Sequence, residues 1–250
     1  MVFPLYDDNT GRTTIPWVNY AFIAINILVF VLLQRLGSDT GVTYSFSTVP
    51  QEIMTGSDVV TSPRIVEYAG QQLEIPGLGR TWPSVYVTLL TSMFMHGGIA
   101  HIGGNMLFLW IFGDNIEDRL GHVRYAIFYL LCGLIASLAH VFTTAAFAGE
   151  QADMLVPSLG ASGAISGVLG GYILLHPSRR VTVLLFRFLT QVPAWVAIGI
   201  WFAFQLISGL GMLGEGSQQG GVAYAAHIGG FVAGLVLIKF FDRGNVRSPI

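Results

Sequence analysis

Six apolar runs, each 17 to 25 residues long, take up about half of this chain and leave few ways to fold it. They are roughly Val18–Leu36, Ile99–Ile116, Val123–Phe147, Leu159–Leu175, Val192–Leu213 and Val222–Phe241. A helix crossing a bilayer needs about 20 mainly apolar residues. Only 10% of the 250 residues are charged, against 53% hydrophobic, which is too few charges to cover a water-facing surface. The expectation is an all-α polytopic membrane protein of six transmembrane helices. It forms one domain over 1–250, with short tails at 1–17 and 242–250. The fourth helix is short, and the first connection, roughly Gly37 to Pro83, is long and lacks evident structure. The opening residues, with Asp7, Asp8 and Arg12, do not read as a cleaved signal peptide.

Basic residues set the expected orientation. With the N-terminus cytoplasmic, Arg12, Arg119, Arg124, Arg179, Arg180, Arg187, Lys239, Arg243 and Arg247 fall inside, and only Arg35, Arg64 and Arg80 outside. Six spans then put both termini in the cytoplasm. A net charge of −2 and the lack of a basic patch exclude a nucleic-acid partner. The single cysteine, Cys132, excludes an internal disulfide and a thiolate metal cluster. No His-Glu-x-x-His is present and no carboxylate stands near the histidines to complete a zinc site, so no metal is expected.

Polar groups inside spans are costly and therefore candidates for function. His101 and Asn105 stand four apart, on one face of the second helix. Ser162 opens the fourth helix and His227 lies in the outer part of the sixth. At 1.5 Å rise per residue, His101, Ser162 and His227 each stand about 18–21 Å from the cytoplasmic end of their helix. Three helices thus point to one polar layer, about 10 Å below the outer surface of a core about 30 Å thick.

Around that layer the sequence is rich in glycine. Gly160 and Gly163 flank Ala161-Ser162, and Gly163, Gly167 and Gly171 recur every fourth residue. Ala226, Gly230 and Gly234 do the same beside His227. Small residues at this spacing let helix backbones approach closely, which would bring the fourth and sixth helices within reach of a Ser–His hydrogen bond. Serine is a weak nucleophile until an adjacent base takes its proton, and neutral imidazole suits that task. Unpaired amides at a helix start near Ser162, with His101 and Asn105, are candidate donors to an oxyanion. No Asp or Glu is at hand as a third member, so the unit would be a dyad. On its own, Ser162 reads first as a helix-packing serine, and only His227 and the donors beside it favour a nucleophile.

Gly160-Ala-Ser162-Gly163, His101-x-x-x-Asn105 and Ala226-His227-x-x-Gly230-x-x-x-Gly234 resemble the three signatures of the rhomboid intramembrane serine proteases. The run from Gly113 to Gly121 resembles that family's connection between second and third helices. The resemblance implies a rhomboid-like bundle with Ser162 as nucleophile, His227 as base, and His101, Asn105 and Ser162 at the oxyanion hole. It implies cleavage of transmembrane-helix substrates in the bilayer, without metal or nucleotide, in a bacterial-like inner membrane. Val87-Thr88 stand where many members carry Trp-Arg, and Ser166 stands where some carry an aromatic against the catalytic histidine. The alternative is a proteolytically silent rhomboid-like protein that binds transmembrane helices. The fifth helix and the loop after it, with Gly214, Gly216, Gly220 and Gly221, read as a gate and its hinge.

Overall fold

The computed structural model describes residues 2–68, 71–148, 151–185, 188–214 and 224–242. Strand β1 (Val2–Asp7) leads into α1 (Trp17–Leu28), which runs on as a π-helical stretch, Val29–Leu33. The long first connection is structured: short helices α2 (Thr40–Ser45) and α3 (Pro50–Thr55), then the hairpin β2 (Arg64–Tyr68)–β3 (Gln71–Ile75). Helix α4 (Thr88–Thr91), with a 3-10 turn on either side, enters the long α5 (Ile99–Leu120). Then come α6 (His122–Phe147), α7 (Ser162–Leu175), the hairpin β4 (Arg180–Leu185)–β5 (Phe188–Pro193), α8 (Ala194–Gly214) and α9 (Tyr224–Phe241).

The bundle is mostly helical, and each of the six apolar runs falls on a helix. By length and composition α6 and α9 can each cross a membrane. Val85–Phe94 and α5, bent by 77°, can form a third span. Trp17–Leu33, Ser162–Leu175 and Ala194–Gly209 are shorter apolar helices. Large apolar side chains such as Leu32, Phe142, Ile207 and Phe240 point outward, as a lipid-facing surface requires.

Helix α7 is the centre of the bundle. Every residue from Gly163 to Tyr172 is buried, in contact with α5, α6 and α9. A helix apolar on all sides belongs in such a position. Its 14 residues give a rod about 21 Å long, short of a bilayer core of about 30 Å. Ala161, just ahead of it, is fully buried, so the helix starts inside the protein.

The glycine seam is shared among three helices. A Cβ at Gly230 would lie 2.1 Å from the Gly163 carbonyl oxygen, and one at Gly234 would lie 2.0 Å from that of Gly167. The α9 stripe thus presses on the α7 backbone. The α7 stripe turns largely the other way: Cβ atoms at Gly163 and Gly167 would strike Ala136 and Cys132 of α6. At Gly171 a Cβ would reach both Phe128 of α6 and Ile238 of α9. Gly170 is the α7 glycine whose missing Cβ makes room for α9, at 2.3 Å from the Phe231 oxygen.

The N-terminal tail is no free tail but the edge of a three-stranded antiparallel sheet, in the order β1-β4-β5. Val181 and Val183 of β4 turn into the core. From β1 onward a polar clip ties the chain to the far end of α5. Glu117 accepts the backbone N–H groups of Val18 (2.9 Å) and Asn19 (2.7 Å), a carboxylate meeting the unpaired amides at the start of α1. Arg12 pairs with Asp114, and Asn115 Nδ2 donates to Asp7 and Asn9 at 2.7 Å each. Tyr172 donates to Asp7 Oδ2 at 2.6 Å, linking the clip to α7. Burial pushes the Asp7 carboxyl up to about 7, against the opposing Tyr172 hydrogen bond.

Candidate active site

Ser162 is held from behind before it presents its hydroxyl. Backbone bonds between Thr48 and Ser158 (2.9 and 2.8 Å) fasten the segment ahead of α7 to the first connection. The Gly160 N–H then donates to the Ser92 oxygen at 2.8 Å. Gly160 has φ +117°, a backbone conformation that favours glycine. This turn delivers Ser162 as the first residue of α7, where the leading amides have no partner within the helix.

Across the glycine seam, His227 Nε2 stands 2.7 Å from Ser162 Oγ. On the other side of Gly160, a Cβ at that glycine would lie 2.8 Å from His101 Nε2 and 3.5 Å from Asn105 Nδ2. Both donors therefore converge beside the Ser162 turn. The Gly97 N–H lies 3.3 Å from His101 Nδ1, so Nδ1 accepts and Nε2 carries the ring proton. Among the described residues, Asn105 Nδ2 is buried with no hydrogen-bond partner. An orphaned buried donor costs about 1–3 kcal/mol, and it ends at a cavity where an anionic oxygen would satisfy it. The cavity, about 480 Å³, is lined by His101, Asn105, Gly160, Ser162, Trp201 and His227 among others. It gathers the polar groups that the depth argument set at one level.

His96 supports this arrangement. Gln34, at the end of the first helix, brackets its peptide by accepting from the His96 N–H (3.0 Å) and donating to its carbonyl (2.8 Å). The buried His96 ring then stands edge-on to His101 with centroids 5.2 Å apart. Ser166 does not reach His227; it donates back to the Ser162 carbonyl at 2.6 Å. Aromatic flanking of His227 comes instead from Trp201 of α8, 6.1 Å away, and Tyr224, 6.4 Å away.

A family model described as the Rhomboid domain matches residues 83–243. The chain belongs to the rhomboid family. It is 27% identical over 235 residues to the rhomboid protease GluP of Bacillus subtilis, covering 94% of this chain and 36% of the relative. It is 31% identical over 150 residues to the mitochondrial rhomboid protein 1 of Saccharomyces cerevisiae, covering 60% and 40%. To the rhomboid-type serine protease 2 of Emericella nidulans it is 29% identical over 155 residues, covering 62% and 27%. This rhomboid chain thus spans 27–40% of the length of these curated relatives.

One residue of this rhomboid site escaped the sequence reading. Gln205 of α8 is buried, and its Oε1 lies 2.8 Å from His227 Nδ1. Among the described residues, the partner of Nδ1 is therefore an amide oxygen and not a carboxylate. A glutamine amid an apolar helix was the available signal, and the rise from Ala194 to Gln205, about 17 Å, sets it near the level of His227. Of the proposed hinge, Gly214 ends α8, while Gly216, Gly220 and Gly221 lie outside the described residues.

Proposed function

We propose that this chain is an intramembrane serine endopeptidase that cuts transmembrane segments of other membrane proteins near the outer face. The observation that carries this reading is the 2.7 Å approach of His227 Nε2 to Ser162 Oγ, beside a donor, Asn105 Nδ2, that has no partner among the described residues. A purely structural polar bridge would satisfy its own donors. This one leaves a donor and the cavity beside it open.

In the reaction, His227 Nε2 takes the Ser162 proton as Oγ attacks the scissile carbonyl carbon. The carbonyl π electrons move to oxygen, and the tetrahedral oxyanion meets the His101 Nε2–H, the Asn105 amide and the Ser162 N–H. Collapse re-forms the carbonyl and breaks the C–N bond, and imidazolium gives its proton to the departing amine. The Ser162 ester remains. A water enters from the outer side, loses a proton to His227 and attacks the ester carbon; collapse then breaks the bond to Ser162 Oγ, which takes that proton back from His227 as the acid is freed.

Six helices crossing an inner-type membrane of a bacterial or archaeal cell, both termini cytoplasmic, fit the nine-to-three bias of basic residues. Helix α7, starting inside the protein, lets water and an unwound substrate segment reach one depth. Unwinding is easiest where the substrate carries glycine, proline or other weak helix formers. Helix α8 serves as the gate: Ala194, Ala197 and Ile198 are buried at its base, while Ile207 is 71% exposed further along.

A fluorophosphonate probe should label the purified protein, and single-span substrates in liposomes should be cut toward their outer ends. Ser162→Ala should abolish both. Labelling that persists in Ser162→Ala, or cuts mapped to the cytoplasmic side, would overturn the assignment. A substrate helix bound in lipid but never cut would favour the silent binding protein.

A further inference from the structure

Imidazole has two neutral tautomers, and only one of them can act as base toward Ser162. The proton must sit on Nδ1 so that Nε2 offers its lone pair to the serine O–H. Something has to hold it there. In a water-poor site the partner of Nδ1 makes that choice.

We infer that Gln205 is a positioning residue for the Ser162–His227 pair, its amide oxygen fixing the imidazole in the tautomer that accepts the serine proton. The inference rests on the protease reading above. Gln205 Oε1 faces His227 Nδ1 at 2.8 Å, while Nε2 faces Ser162 Oγ at 2.7 Å, so the ring is bound at both nitrogens. Among the described residues, the other titratable groups interacting with the ring are His101, His140 and Tyr224, none of them a carboxylate. Ser166 is turned back onto its own helix, so α7 holds the ring only through the Ser162 hydroxyl at Nε2. That task falls to α8, with Trp201 one turn before Gln205 flanking the same ring.

The amide also acts during turnover. When His227 takes the serine proton it becomes a cation, and a hydrogen bond from a charged donor is stronger than one from a neutral donor. Gln205 thus stabilises the imidazolium more than the resting imidazole. A neutral amide accepts less strongly than a carboxylate would, so its effect is smaller than that of a triad acid. Because Gln205 rides on α8, an outward movement of that helix withdraws the acceptor, and His227 loses its orientation while the gate is open.

Gln205→Met keeps the length of the side chain and removes the accepting oxygen. Gln205→Glu keeps an accepting oxygen in either protonation state. Each is compared with the natural chain and Ser162→Ala in liposomes, by initial fluorophosphonate labelling rate and by kcat and KM on a single-span substrate. In Gln205→Met, labelling and kcat should fall about tenfold, the scale set by losing one charge-assisted hydrogen bond, with KM unchanged. Gln205→Glu should retain or exceed the natural rate. Equal rates in Gln205→Met and the natural chain would overturn the inference. So would an equal loss in both variants, which marks a packing role, or an effect confined to KM. If the natural chain itself fails to label, the protease reading fails instead.

Discussion

Replacing Gly230 with alanine tests the claim that helix contact, rather than sequence alone, creates the reactive pair. In an isolated helix the change would be favourable by about 1 kcal/mol. In the bundle the new Cβ would lie 2.1 Å from the Gly163 carbonyl oxygen and 3.0 Å from the carbon it belongs to. These are backbone atoms that no rotamer can move aside. Ordinary contact begins near 3.4 Å, so α9 must retreat by about 1.3 Å at this point. Gly163 adjoins Ser162, and Gly230 is one helical turn from His227. The 2.7 Å Ser162–His227 separation would therefore open to about 4 Å, beyond hydrogen-bonding reach. A displacement of about 1 Å can cost about 10²-fold in rate, so Gly230→Ala should lose at least that much cleavage in liposomes. Gly199→Ala is the control, because a Cβ there meets nothing within 4 Å; it should retain full activity. Helix content by circular dichroism should be unchanged in both. Cleavage by Gly230→Ala within twofold of the natural rate would refute the reasoning.

Two further outcomes follow from the buried polar groups. Asn105→Ala should lower kcat by about 10²–10³-fold, the usual cost of one oxyanion donor. Its melting temperature should hold or rise, because the change removes an unpartnered buried amide; a large drop would make Asn105 structural. At Asp7, burial holds the folded-state carboxyl near 7 against an ordinary 3.8, so folding favours its protonated form. That contribution is fully present below about pH 4 and is lost as pH rises through 7. The stability difference between the natural chain and Asp7→Asn should therefore shift against the natural chain from pH 4 to pH 8, and a difference that stays constant over that range would dismiss the Asp7 contribution.

Much of the fold was legible because its strongest signal is local. A run of about 20 apolar residues needs no partner to declare itself a helix, and all six runs proved helical. The β1-β4-β5 sheet was not legible in the same way, although Arg180-Val-Thr-Val-Leu-Leu has the β-branched character of a strand. Its partner begins at Val2, paired with Leu185, a register set by long-range contact. The first connection hid α2, α3 and a hairpin because such short elements are stabilised by what they pack against. Ser162, His101, Asn105 and His227 stood out as polar groups at one depth in apolar helices. Gln205 met the same test but was masked by a helix that is apolar on every side, where periodicity does not reveal which face turns inward.

The sequence alone determined the class of molecule, the helices and the chemical groups, since hydropathy, spacing and side-chain chemistry are properties of the chain itself. Only the tertiary structure decided which nitrogen faces which oxygen. The seam where α9 glycines meet α7 carbonyls sets the Ser162–His227 distance, and the packing of α8 chooses Gln205 as the partner of Nδ1. A hydrogen bond forms or fails within about half an ångström. That margin is fixed by side chains in contact, and no single helix carries it in its own sequence.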